Sequence, residues 1–344
     1  MGFITARAIF AAIAFAPALW ALGLTNPPLP NIDYAFAHCP VSGGLVMHGG
    51  WCEPDWAIRS NAWLLTMTGW EETIAGPRMT HHSAALDTHR NVVVVCGRTR
   101  FPNANTNVTW EFNGVAWQQK PDLLAGNGGD VELAYDRARR RIVAYVAEGT
   151  SETWEYDGTN WTKKTTATMP PALEDGALMT YDPVSNAVLL VVTTNDLWFS
   201  GSYASETWTY DGSDWTRRAT GLPTNAWLGG LAWDEARGNA VLLTTDSETW
   251  TWNGAQWTRR TPAHSPAPAR GFLTMAYDPL RAVSVFFSGE YSTGGFSQVH
   301  PIDTWEWDGA DWQQFVPVPE PLTGMLLAAA GFLFTRARTQ GSTA

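Results

Sequence analysis

Trp154-Glu-Tyr-Asp-Gly-Thr-Asn-Trp161 is the stretch from which the fold can be read. Trp154 and Tyr156 are two residues apart, so on a strand they share one face. Asp157-Gly158 supplies the positive φ angles of a tight hairpin, and Trp161 returns on the next strand beside the first pair. This makes a three-aromatic cluster with a large area to bury against a neighbouring sheet. Thr153 and Glu155 face the other way.

The stretch recurs. Trp110-Glu-Phe-Asn-Gly leads to Trp117, Trp208-Thr-Tyr-Asp-Gly to Trp215, Trp250-Thr-Trp-Asn-Gly to Trp257, and Trp305-Glu-Trp-Asp-Gly to Trp312. A threonine precedes the first tryptophan in each of these copies, and a weaker sixth copy runs from Trp63 to Trp70. The first tryptophans are 47, 44, 54, 42 and 55 residues apart. Ahead of each copy lies a second hairpin, in most copies an apolar strand, a turn opened by aspartate and a β-branched strand, as at 83–97, 132–146, 177–192, 230–245 and 272–287. Four strands repeated at this period describe propeller blades. The expected fold is all-β, a six-bladed β-propeller of four-stranded antiparallel blades over 31–316. Its blades fall near 34–75, 80–120, 131–165, 176–218, 229–260 and 271–315. The chain enters on an inner strand and leaves on an outer one, so no blade mixes the two ends.

Among 344 residues there are twenty tryptophans, 45% hydrophobic and 16% charged residues, which excludes a disordered chain. The net charge of −11 argues against a nucleic-acid partner. Three cysteines are too few for a disulfide-stapled fold. Cys39 and Cys52 lie in the first repeat and are candidates to pair, which leaves Cys96 buried in its strand.

Residues 1–30 join Arg7, an apolar run from Ile9 and the break TNPPLP, the build of a secretory signal peptide and linker. Residues 317–344 carry Pro319-Glu320-Pro321, a 13-residue apolar stretch at 322–334, then Arg336 and Arg338. That stretch is short for a comfortable membrane span, and the arginines favour a tail held on the cytoplasmic side. The order resembles the PEP-CTERM sorting signal of Gram-negative bacteria that make exopolysaccharide. The resemblance implies processing by an exosortase, transient contact with the inner membrane through a C-terminal hydrophobic helix, and delivery to the cell surface or biofilm matrix. The middle of the chain resembles kelch-type propellers, which include the central domain of galactose oxidase. His48-Gly49-Gly50 keeps the double glycine that closes the second strand, and Cys96-Gly97, Glu148-Gly149 and Ser288-Gly289 keep part of it.

The turns between first and second strands, and between third and fourth, share one rim and are short. The second-to-third connections and the blade-to-blade links share the other rim, with long members at 49–61, 97–108, 193–206 and 288–303. Binding residues ride on loops held by a rigid scaffold, so this is the expected functional face. Its candidates are Trp51, Trp56, Phe101, Trp198, Phe199, Tyr203, Tyr291, Phe296 and His300. Aromatics interleaved with Asn, Ser and Asp suit sugar faces or a protein hot spot. No metal or cofactor is expected, because no histidines show chelating spacing and the adjacent His81 and His82 would point opposite ways on a strand. Asp157, Asp211 and Asp308 read as turn formers, and the turn from Arg137 to Arg141 as a solvated rim patch. The expected function is non-enzymatic binding of a glycan or protein. The alternatives are a sugar-acting enzyme in the channel, galactose-oxidase-like or lyase-like, and an assembly scaffold without a small ligand.

Overall fold

The computed structural model describes residues 28–29, 32–52, 57–99, 107–124, 129–172, 176–193, 204–220, 222, 227–294 and 297–318. The signal-peptide run, the triplet Pro319-Glu320-Pro321, Arg336 and Arg338 lie outside them. The propeller is one compact unit, Pro27–Thr66 with Trp70–Phe315.

Six four-stranded antiparallel sheets make it. The first is β1 (Ala35–Cys39), β2 (Gly44–His48), β5 (Ala62–Thr66) and β6 (Gly69–Thr73), with a ribbon β3 (Trp51–Cys52) and β4 (Ala57–Ile58) inserted after β2. The second is β7 (Thr80–Asp87), β8 (Val92–Arg98), β9 (Asn107–Phe112) and β10 (Trp117–Leu123). The third is β11 (Asp130–Asp136), β12 (Arg141–Glu148), β13 (Thr150–Tyr156) and β14 (Trp161–Lys164). The fourth is β15 (Ala177–Asp182), β16 (Ala187–Thr193), β17 (Ser205–Tyr210) and β18 (Trp215–Thr220). The fifth is β19 (Leu228–Asp234), β20 (Asn239–Thr244), β21 (Thr249–Trp252) and β22 (Trp257–Arg260). The sixth is β23 (Met275–Asp278), β24 (Val283–Phe287), β27 (Thr304–Trp307) and β28 (Trp312–Gln314), with a ribbon β25 (Tyr291–Gly294) and β26 (Ser297–Val299). The inner strands β1, β7, β11, β15, β19 and β23 pack in sequence, and β23 meets β1 to close the ring.

The core is divided into six apolar clusters, one per seam between blades. In each complete repeat the returning tryptophan packs on the second aromatic of its own blade, with ring centroids 4.8 to 5.5 Å apart, as for Phe112–Trp117 and Trp307–Trp312. Its indole N–H then reaches across the seam to the threonine of the preceding blade. Trp161 donates to Thr109 at 2.8 Å, Trp215 to Thr153 at 2.7 Å, Trp257 to Thr207 at 2.9 Å and Trp312 to Thr249 at 2.8 Å. Trp70 donates to Thr304 at 2.9 Å, so the last seam uses the same bond as the others. The threonine noted before each first tryptophan is therefore the acceptor for the next blade. At the remaining seam the equivalent residue is Ala62, and Trp117 donates instead to the Ile74 carbonyl at 3.0 Å. His48 packs against Trp117 there, with centroids 4.5 Å apart.

No strand is shared between the first and sixth sheets, and side chains complete the closure. The Tyr34 hydroxyl donates to the Phe287 carbonyl at 2.5 Å and accepts from the Phe287 amide at 3.2 Å. Trp70 lies against Phe36 and Phe287, at 6.0 and 5.1 Å between centroids.

The short rim engages many of its own polar groups. Asp157, Asp211 and Asp308 each accept two backbone amides of their turns at 2.8 to 3.0 Å. These loops hold four residues, since Tyr156 pairs directly with Trp161. Glycine alone takes the positive φ, 95° at Gly158, while the aspartate acts through its carboxylate. Arg90 bonds Asp87 at 2.7 Å and Glu111 at 2.6 Å, and Tyr156 of the next blade donates to Glu111 at 3.0 Å. Arg139 repeats this with Asp136, Glu155 and Tyr210. The arginine turn is thus not a uniform solvated patch: Arg139 belongs to an ion network and Arg137 pairs with Glu235. Cys39 is a buried free thiol against Ser42 at the short rim. Cys52 follows β2 at the opposite rim, a strand length away, far beyond the roughly 7 Å between Cα atoms that a disulfide spans. Cys96 is buried in β8, and burial pushes its thiol up to about 12.

Thr153→Val keeps the shape but strips the acceptor from the buried Trp215 indole. The expected loss is about 1–3 kcal/mol, read as a lower urea midpoint with unchanged m-value.

Candidate functional site

The long-loop rim opens into a cavity of about 240 Å³ at the end of the central channel. Every inner strand contributes to its wall, through Phe36, Ala84, Leu133, Met179, Leu231 and Met275. Around the opening stand the aromatics Trp51, Trp227 and Phe272 and the polar residues Asp33, His81, Ser83, Asp130, Glu132 and Thr274.

A repeated irregularity puts several of these side chains there. Ile32 and Trp51 exchange both backbone hydrogen bonds at 3.1 Å, and the next residue, Asp33, has φ of 55°. Gly271 and Glu290 exchange theirs at 2.8 and 3.0 Å, and the next residue, Phe272, has φ of 54°. Thr80 pairs with Arg98, the register slips, and His81 has φ of 47°. Three of the six blades thus hold a non-glycine residue in the left-handed region where the inner strand begins, at a cost of order 1–3 kcal/mol each, with a bulge at His81 and the flanking pairs in register around Asp33 and Phe272.

Hydrogen bonds brace the opening. Asp33 accepts from the Thr80 hydroxyl and from the His81 amide, the latter at 2.7 Å, and its carboxylate lies 3.4 Å from His81 Nδ1. Ser83 donates to Glu132 at 3.4 Å while accepting from the Leu133 amide at 3.1 Å. Thr274 donates to the Tyr34 carbonyl at 2.8 Å, and Arg98 pairs with Asp130 at 3.1 Å. Trp227 and Phe272 stand 6.5 Å apart between centroids. Behind Phe272, the buried Arg270 grips Asp303 with both terminal nitrogens and the Ser288 carbonyl at 3.1 Å, tying this link to the long loop of the sixth blade.

Two groups in the wall are held in unusual protonation states. Glu132 keeps some solvent contact through the mouth, but desolvation, with Asp130 beside it, pushes its carboxyl up to about 8. His82 (6% exposed) donates from Nε2 to the His48 carbonyl at 3.0 Å, and His48 (1% exposed) donates from Nε2 to the Pro77 carbonyl at 2.9 Å. The Nδ1 atoms of both rings are buried without a hydrogen-bond partner. Burial, reinforced at His82 by its histidine neighbour, holds His48 down to about 4 and His82 to about 3. Among the described residues no group of three or more His, Cys, Asp or Glu is placed to hold a metal ion.

Of the candidates named from sequence, Trp51 lines the cavity. Tyr291 lies on the ribbon of the sixth blade, and His300 Nε2 sits 3.1 Å from Glu290 Oε2; neither belongs to the cavity wall. Trp56, Phe101, Trp198, Phe199, Tyr203 and Phe296 lie outside the described residues. The other mouth residues stand on or just before the inner strands and not on the long loops, which is why they are absent from the sequence candidates. A signal existed: Ser83, Glu132 and Thr274 stand four residues before the turn aspartates Asp87, Asp136 and Asp278, each a polar break in an apolar strand.

No protein-family model matches the chain, and no curated protein sequence matches it. Solved structures do. A triple arginine-to-alanine mutant of AofleA from Arthrobotrys oligospora aligns with a TM-score of 0.56 at 12% identity, over 85% of this chain and 88% of that one. A protein of unknown function from Bacteroides thetaiotaomicron aligns with a TM-score of 0.51 at 12% identity, over 74% and 67%. At such identity the likeness shows the propeller fold alone.

Phe272 is 51% exposed, so Phe272→Gly relieves backbone strain at little loss of burial. Its thermal midpoint is expected to equal or exceed that of the parent; a drop of several degrees contradicts the strain. For pH, an unfolded histidine protonates below 6.5 whereas His48 and His82 resist, so their contribution is complete above 6.5 and is lost as pH falls toward 4 and 3. Each costs the fold roughly 2 kcal/mol at pH 5. Glu132 acts in the opposite sense, because the folded state keeps its proton up to about 8. In Glu132→Gln the urea midpoint should therefore fall steadily from pH 7 to pH 5, and a level profile contradicts the burial of both rings.

Proposed function

We propose that this protein is an exported surface or matrix module of the kelch type that binds a glycan at the mouth of its channel. The observation that supports this best is the pairing of Trp51, Trp227 and Phe272 with a ring of hydrogen-bonding side chains around one cavity. Aromatic faces take the apolar side of a sugar ring, while carboxylates and hydroxyls fix its hydroxyl groups. At about 240 Å³ the cavity falls below the roughly 300 Å³ at which sites for drug-sized ligands begin, and suits one ring of a longer chain. The rest of that chain would run across the long-loop rim, where Trp56, Phe101, Trp198, Tyr203, Tyr291 and His300 are placed by sequence. Export rests on residues 1–30, and sorting by an exosortase, with transient inner-membrane contact, on Pro319-Glu320-Pro321 and the arginines Arg336 and Arg338.

One observation favours the second reading, a sugar-acting enzyme. Glu132 holds its proton near neutral pH beside a second carboxyl, Asp130, which is the asymmetry an acid–base pair needs.

Calorimetric titration of the full chain with an oligosaccharide panel, alongside a reducing-end assay, tests both. Trp51→Ala is expected to weaken binding about 10-fold or more, as loss of one aromatic anchor does, with no new reducing ends. Unchanged binding in Trp51→Ala and in Phe272→Gly would move the site away from the mouth. New reducing ends that vanish in Glu132→Gln would establish the enzyme.

A further inference from the structure

We infer that the mouth selects an amine-bearing sugar residue, a glucosamine unit with its amino group free and protonated, over neutral N-acetylated and acidic sugars. This rests on the glycan reading above and names its ligand class. The protons around the cavity are already committed inward. The Thr80 hydroxyl and the His81 amide donate to Asp33, the Ser83 hydroxyl to Glu132, the Thr274 hydroxyl to the Tyr34 carbonyl, and His82 Nε2 to the His48 carbonyl. The described wall carries three carboxyl groups, of Asp33, Asp130 and Glu132, and an ammonium guest displaces the proton of Glu132 as it binds. His82, more than nine-tenths buried in the same wall, adds a bare Nδ1 without a partner.

Charge points the same way. Asp33 lies 3.4 Å from His81 Nδ1, and Asp130 is matched by Arg98, whose guanidinium is engaged at 3.1 Å. Glu132 has Ser83 and two carboxylate neighbours and, among the described residues, no ion pair with a cation. An ammonium group is the guest that donates to all of these and is attracted by them, and the faces of Trp51, Trp227 and Phe272 favour a cation beside a sugar's apolar side. A uronic acid brings a second anion to the same place and is rejected. The elevated Glu132 carboxyl adds a signature: an ammonium beside it favours the ionised form, so binding near pH 7 releases a proton.

The test titrates the full chain at pH 7 with four probes: a tetramer of glucosamine with free amines, its N-acetylated counterpart, a tetramer of uronic acid, and spermidine. The free-amine tetramer is expected to bind at least about 10-fold tighter than the N-acetylated one. That advantage should shrink with added salt and in Asp33→Asn and Glu132→Gln, and binding should release protons, seen as a dependence of the heat on buffer. Equal binding of both glucosamine tetramers, or tighter binding of the uronic tetramer, overturns this inference and leaves the glycan reading standing. Spermidine matching the free-amine tetramer overturns the sugar half of it. Binding of no sugar probe overturns both. The comparison among probes uses the unaltered protein, so a variant that fails to fold does not blunt it.

Discussion

The bond from a returning tryptophan to the threonine of the blade before it is the constraint on which this propeller depends. A tryptophan buries a large area but carries one N–H that must find an acceptor. Here the indole lies in the seam, and the acceptor stands on the neighbouring sheet. The bond therefore sets how closely one blade approaches the next, while the aromatic pair beside it sets the angle. Repeating the step carries the chain around until Trp70 meets Thr304. Closure follows from the same geometry as every other seam, with Tyr34 adding hydrogen bonds of its own, and needs no strand lent from one terminus to the other. The seam with Ala62 departs from the pattern, and there buried His48 and His82 occupy the space and make that joint sensitive to acid.

The two rims use their polar groups differently. On the short rim, aspartates cap their turns and arginines bridge them to the glutamates of the third strands. On the long-loop rim, three blades hold Asp33, His81 and Phe272 in left-handed backbone conformations. Such conformations persist only where the surroundings over-determine them, and the six packed seams supply that rigidity. Buried Arg270, bound to Asp303 and to the Ser288 carbonyl, does the same locally behind Phe272. The acceptor-rich mouth is thus a product of scaffold stiffness as much as of its own residues.

What the sequence by itself determined is the architecture. The register of Trp, aromatic and Trp, the Asp-Gly and Asn-Gly turns and the apolar hairpins are local signals with fixed periods, and local periods survive without knowledge of the fold. They specified six blades, the inner-to-outer strand order and the turn role of Asp157, Asp211 and Asp308. Two details failed for reasons of geometry: the turn aspartates work through their side chains and leave positive φ to glycine, and Cys39 stands at the opposite rim from Cys52. Only the tertiary structure decided the site. Asp33, His81, Glu132, Trp227 and Phe272 are far apart in the chain, and nothing in the spacing of one predicts another. They meet because six inner strands converge on one axis, and because residues with positive φ where three of those strands begin turn side chains toward it. Both are properties of the closed ring, to which every blade contributes and which no single repeat contains.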